Sequence, residues 1–346
     1  MTYSPVERIF SSLSPSPFKL FIPHSAIHRD RRTDMGLKWG IIGAGSLARR
    51  RAMPAIHKAR NASLKALMVR DLDRARTLAE EYRAERYYAD VDDLLRDSEI
   101  DAVHVATPVY VHCEHAVKAA ECGKHVLCEK PMAMDLGEAR RILDACAANA
   151  VHLQICFVLR FRSYYRRIKA LVESGAIGRI VTARAQLIKR MERTSGAWRT
   201  NPAKAGGGAL MDTGAHCLDL LRYLVGEIAE VAYFGSNAAF GWEVEDSATG
   251  LVRFENDARG TFDVSFSVPH SESLLEVYGT EGCTLVGRSF KVYCSDTVLE
   301  EELLEEDLYL ALIEHFGRCV EADEAPIATG EDGLRNMELI EMAYGR

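Results

Sequence analysis

Leu37-Lys38-Trp39-Gly40-Ile41-Ile42-Gly43-Ala44-Gly45-Ser46-Leu47-Ala48 is the stretch on which the reading of this 346-residue chain turns. A short, largely apolar run ends in glycine, and a helical pattern follows as far as Ala59. Gly43, Gly45 and Ala48 fill the spacing G-x-G-x-x-G/A, in which each small residue has its own task. Gly43 permits a tight turn, Gly45 lets backbone approach a pyrophosphate, and Ala48 lets the helix pack closely on the strand. The N–H groups of Ser46 and Leu47 open that helix, where unpaired backbone donors suit phosphate oxygens.

Outward from this turn, strands and helices alternate. Strands are expected at Leu37–Ile42, 64–69, 102–106, His125–Cys128 and 152–157, with helices at 72–84, 111–121 and Leu136–Ala148 between them. Such alternation implies right-handed crossovers and a parallel sheet. The near-continuous apolar character of the strands fits burial on both faces. After Phe157 the pattern changes. A basic helix at 165–173, the run Ile180–Ile188 and a helix at 209–225 precede period-2 runs at 248–254, 260–266, 274–278 and 290–293. Strands without intervening helices read as an antiparallel sheet, and a crevice between two domains is the default ligand site.

Composition narrows the class. Hydrophobic residues make up 48% and charged residues 27%, as in a globular protein. No run reaches the ~20 apolar residues of a membrane span, so no membrane partner is expected. Nine cysteines, an odd number without any CxxC pair, suggest reduced thiols and a cytoplasmic location. Residues 296–346 hold fifteen Asp/Glu against three Lys/Arg, while the rest of the chain sums to only +5, a poor footprint for nucleic acid. The acidic run 300–307 reads as a solvated helix face. Residues 1–34, with four of the ten prolines and six serines, read as a disordered extension ahead of Met35.

Several residues carry candidate chemistry. An acid about 20 residues past the glycine turn binds ribose hydroxyls in NAD sites, whereas an arginine there suits the 2′-phosphate of NADP. Here Val69 is followed by Arg70 and Asp71, so NADP is favoured and NAD remains open through Asp71. Thr107-Pro108 with His112, and Glu129-Lys130-Pro131, leave the carboxyl ends of expected strands, where open α/β sheets bind ligands. A lysine there needs a partner; the plain alternative is a solvated loop lysine. Trp198-Arg199 precede Gly206-Gly207-Gly208-Ala209-Leu210-Met211-Asp212-Thr213-Gly214-Ala215-His216. Asp212 and His216 lie four apart on one helix face, a spacing for a proton-transfer pair. Equally, Asp212 suits a helix cap and His216 a core position. No third ligand stands at metal spacing, so no metal is expected.

Together the GxGxxA, ATP, EKP, WR, GGGALMDTGAH and Tyr278-Gly279-Thr280-Glu281-Gly282 segments resemble the glucose–fructose oxidoreductase / inositol dehydrogenase / rhizopine-catabolism (Gfo/Idh/MocA) family, from Met35 to Tyr344. The resemblance implies an α/β fold. An N-terminal Rossmann, doubly wound parallel sheet over 35–157 is joined to a C-terminal α+β domain over 158–346 with a large, mostly antiparallel open sheet. It also implies an NAD(P)-dependent dehydrogenase acting on a secondary alcohol or carbonyl of a sugar, cyclitol or polyol. Homodimers or homotetramers would form through the C-terminal sheet. In the family's terms Lys130 takes the catalytic lysine role, His216 the proton-transfer role, and Asp212 the acid beside the substrate. Trp198 and Arg199 reach the nicotinamide end, and Arg70 resembles the NADP-preferring branch. Val158–Phe161 matches the arginine-containing substrate segment only loosely, with Arg160 as the expected substrate contact. The other outcome the family allows is a cofactor- or sugar-sensing regulator without catalysis.

Overall fold

The computed structural model describes residues 36–191, 198–294 and 297–346. The expected extension at 1–34 lies outside the described residues. Six strands form the first sheet: β1 Leu37–Ile42, β2 Ala62–Met68, β3 Arg86–Tyr88, β4 Ala102–Val105, β5 His125–Cys128 and β6 Leu153–Ile155. All pairings are parallel, in the order β3-β2-β1-β4-β5-β6. The order reverses between β1 and β4, and such a switch point opens a crevice at the carboxyl ends of the strands. The short strand β3 and the helix Val91–Leu95 go beyond the expected alternation. Each is too brief to carry a period.

The second sheet has eight strands: β7 Ile180–Ile188, β8 Ile228–Ser236, β9 Ser247–Phe254, β10 Arg259–Ser265, β11 Leu274–Gly279, β12 Gly282–Val286, β13 Ser289–Cys294 and β14 Thr297–Glu302. Its order is β14-β13-β12-β11-β7-β10-β9-β8, antiparallel except for the parallel pair β7–β10. Burial alternates along β9, so that Val252 and Phe254 enter the core while Leu251 faces out. The helices Ser163–Glu173 and Ala215–Val225 pack on the inner face. Phe234, Leu251, Val181 and Val298 remain exposed on the strands.

One expectation needs correction. The acidic run 300–307 is not a helix face: Glu300–Glu302 belong to edge strand β14, where Glu300 pairs with Lys291 at 3.0 Å and Glu301 with Arg167. One cation from the neighbouring strand and one from the helix Ser163–Glu173 meet these acids. The helix Leu308–Ala322 begins only after Asp307, whose side chain caps it. This helix follows the second sheet in the chain but packs on the core of the first domain. Leu312, Ile313 and Phe316 join Trp39, Met53 and Ile56 in the core of the first domain, with Trp39 and Phe316 rings 5.6 Å apart. A helix with an apolar stripe goes where that stripe is buried, whatever its place in the chain.

Candidate active site

The glycine turn has the geometry its spacing predicts. Gly43 sits at φ +90°, and a Cβ there would stand 2.6 Å from Thr107 Cγ2. Both facts demand glycine. A Cβ on Gly45 would meet no protein atom within 4 Å, so the backbone is bare toward the cavity it lines. Ala48 is fully buried, while Ser46 and Leu47 are exposed and line the cavity. The following turn, Ala48–Ala52, is a wider π-type turn that brings Arg50 and Arg51 to the same wall. Bare backbone at a helix start, backed by cations, fits a dinucleotide's phosphates.

Arg70 is exposed just past β2 and is not part of the cavity lining. Asp71 accepts a hydrogen bond from Arg74 N at 2.9 Å and caps the helix Leu72–Glu81.

Thr107 and Pro108 follow β4, and Glu129 and Lys130 follow β5. Between these loops stands His112. Its Nε2 lies 2.8 Å from the Thr107 carbonyl and its Nδ1 3.0 Å from the Pro131 carbonyl. Burial pushes its pKa down, against the pull of those carbonyls. His112 is thus a strut between two cavity loops. Glu129 is buried; its Oε1 accepts from the Tyr309 hydroxyl at 2.7 Å and lies 3.2 Å from His104 Nε2. His104, Glu129 and Cys156 place donor atoms within 4.8 Å of one another, the only such metal-type group among the described residues. The hydrogen bonds to Glu129 account for its arrangement.

Lys130 Nζ donates to the Asp212 carbonyl at 3.0 Å and also to the Asp212 carboxylate. Arg199 Nε stands 4.0 Å from the other carboxylate oxygen. Burial opposes the charge on Asp212, but Lys130, Lys189 and Arg199 outweigh it and hold the carboxyl below its usual range. One turn on, burial and then the Lys130 cation push His216 down to about 3. Its buried Nδ1 has no hydrogen-bond partner among the described residues.

Glu245 positions this segment. Its carboxylate accepts from Gly208 N and Leu210 N, both at 3.0 Å, and its carbonyl accepts from Ala209 N at 2.9 Å. Tyr344 donates to the same carboxylate at 2.8 Å. A Cβ on Gly208 would stand 1.9 Å from the Glu245 carbonyl oxygen, so glycine is required there. From this anchor a π-type turn, Leu210–Gly214, leads into the helix Ala215–Val225 and aims Asp212 and His216 at Lys130. The resulting cavity, about 670 Å³, runs from the glycine turn to Lys189 and Phe266.

Residues 37–157 match the oxidoreductase family with an NAD-binding Rossmann fold, and residues 165–284 match the GFO/IDH/MocA C-terminal domain. The chain belongs to the Gfo/Idh/MocA family. Within this family it is similar to 1,5-anhydro-D-fructose reductase of Ensifer adhaerens, 33% identical over 86% of this chain and 92% of that one. The scyllo-inositol 2-dehydrogenase (NAD(+)) of Bacillus subtilis (strain 168) is 30% identical over 77% and 81%. Among solved structures, aldose-aldose oxidoreductase from Caulobacter crescentus complexed with glycerol superposes with a TM-score of 0.83 at 28% identity, covering 90% and 97%. The chain is accordingly an NAD(P)-dependent oxidoreductase with the two-domain architecture of that family.

The cavity brings together Gly45, Ser46, Leu47, Thr107, Pro108, His112, Glu129, Lys130, Trp198, Arg199, Asp212 and His216. Gly43, Ala48, Arg70 and Arg160 are outside its lining. Arg160 is 3% exposed, and its guanidinium binds both oxygens of Asp219, the Ile327 carbonyl at 2.6 Å and Asp332 at 2.8 Å. These bonds tie Arg160 to Asp219, Ile327 and Asp332. Sequence reasoning missed Arg50, Arg51, Lys189, Glu245, Tyr309 and Tyr344. Only the adjacency of Arg50 and Arg51 to the glycine turn offered a local signal.

Proposed function

We propose that this oxidoreductase prefers NADP(H) and transfers hydride between nicotinamide and a CH–OH carbon of a sugar, cyclitol or related polyol. The observation that carries the reading is the meeting of Lys130, Asp212 and His216 at one end of a cavity whose other end is the glycine turn. NADP is favoured because Asp71 is committed to capping its helix, leaving Arg70 as the charged side chain at the end of β2. Curated relatives include both NAD(+)- and NADP(+)-named dehydrogenases, so the preference rests on these two residues.

The bound nicotinamide supplies or accepts the hydride. Lys130 places its ammonium on the reacting oxygen and stabilises the negative charge that develops there. His216, neutral, receives the hydroxyl proton. A depressed basicity suffices, because that proton becomes strongly acidic as hydride departs from the carbon. Asp212 holds Lys130 in place. Trp198 and Arg199, whose guanidinium lies 4.3 Å from the indole ring centre, close the nicotinamide side.

The exposed apolar residues of the large sheet support a homo-oligomer, and nine free cysteines support a reducing, cytoplasmic setting. Among the described residues no helix is long and apolar enough to cross a membrane. The decisive experiment follows nicotinamide absorbance with a panel of sugars, cyclitols and polyols. Substrate-dependent turnover is expected. Tight NADPH binding with no turnover across the panel would mark a sensor instead.

A further inference from the structure

We infer that the substrate carries a carboxylate and that Lys189 selects it, an inference that rests on the dehydrogenase reading above. Strands β7 and β10 are parallel neighbours, so their carboxyl ends arrive side by side. Lys189 N donates to the Ser265 carbonyl at 2.9 Å, and Met191 N to the Phe266 carbonyl at 2.7 Å. This pairing sets the Lys189 ammonium 5.5 Å from the Phe266 ring centre, on the cavity wall that also holds Asp212 and Lys130.

The charges there do not balance. Asp212 already takes Lys130 on its carboxylate and faces Arg199 at 4.0 Å. Glu129, the other acid lining the cavity, is committed to Tyr309 and His104. Among the described residues Lys130 and Arg199 take Asp212, and Lys189 stands in no ion pair. Lys130 and Asp212 neutralise each other and Arg199 serves the nicotinamide end, which leaves Lys189 as the surplus cation on the substrate wall. A neutral polyol offers it only a hydroxyl. A carboxylate offers a charge-assisted hydrogen bond, about twice as strong as a neutral one. One surplus charge matches a monoanion better than a phosphate dianion, so the substrate class is a polyhydroxy acid such as a uronate or aldonate. In the reaction its C–H bond gives hydride to NADP+, its O–H proton goes to His216, and a carbonyl forms. The carboxylate is a handle and is unchanged.

The test compares D-glucuronate, D-glucose and glucose 6-phosphate on the NADP-loaded protein, by turnover and by calorimetric binding. The wild type should favour glucuronate. Lys189→Met should raise its KM and Kd by about tenfold or more, a clearly larger loss than for glucose, and be rescued by Lys189→Arg. Preference for glucose or the phosphate, or equal losses for all three in Lys189→Met, would overturn the inference. Should the wider panel of sugars, cyclitols and polyols give no turnover either, the dehydrogenase reading fails, while calorimetry still decides whether a carboxylate binds through Lys189.

Discussion

Lys130 and Asp212 are 82 residues apart, yet the lysine ammonium donates to both the main-chain carbonyl and the carboxylate of the aspartate. The contact joins the end of β5 in the Rossmann sheet to the helix start of the second domain, so the two halves of the site are assembled by one ion pair. A cation fixed at two points is preorganised, and on the proposed mechanism this holds it toward the reacting oxygen.

If Lys130 and His216 act as proposed, removing either should be costly. Lys130→Met and His216→Asn should each lower kcat by about a hundredfold or more, with NADPH affinity altered far less. The double variant should lose much less than the two free energies combined, since residues acting as a unit are not additive. Near-normal kcat in His216→Asn would reduce the histidine to a packing residue.

The depressed pKa of His216 has a pH signature. It is about 3 in the folded chain, against ~6.5 unfolded, so the unfolded state binds the extra proton. His216 contributes stability that is complete above about pH 6.5 and declines as pH falls toward 3. Denaturant titrations should show a flatter acid decline in His216→Asn. For the wild type, kcat/KM for alcohol oxidation should show no His216 limb near pH 6.5, because the free enzyme's histidine is already neutral there.

Cofactor choice isolates Arg70. A charge-assisted hydrogen bond of about 1.5–3 kcal/mol should favour NADPH over NADH by about tenfold to a hundredfold. Arg70→Ala should remove most of that ratio and spare NADH, as read by fluorescence titration. Equal affinity of the wild type for both cofactors would assign the ribose contact elsewhere.

Arg160 should reveal itself in stability rather than in KM. Leaving Asp219 buried without its partner should cost about 3–5 kcal/mol, so Arg160→Met should lower the urea midpoint strongly. A selective rise in substrate KM with unchanged stability would restore it to the substrate wall.

Gly208 tests the anchor beneath the site. Gly208→Ala drives a methyl against the Glu245 carbonyl, and overpacking of this kind costs about 1–3 kcal/mol. Because the strain falls at the start of the segment that carries Asp212 and His216, kcat should drop alongside the melting temperature. An unperturbed kcat would show that the segment is held by other contacts.

Local patterns were enough for much of this protein. The glycine spacing, the apolar runs and the period of each helix state their structure within about a dozen residues, because the forces involved act between near neighbours in the chain. For that reason Leu37–Ile42, His125–Cys128, Leu136–Ala148 and Ile180–Ile188 have the bounds their periodicity predicts, and Asp212 and His216 share a face. The tertiary structure decided what depends on competition between distant groups. Which carboxylates Arg160 bonds, whether Glu300–Glu302 coil or pair with β13, and which residue anchors Gly208 are set by partners 11 to 172 positions away. A side chain's partner is set by which charges burial brings together and which it leaves in water, and that choice leaves no mark on the local sequence.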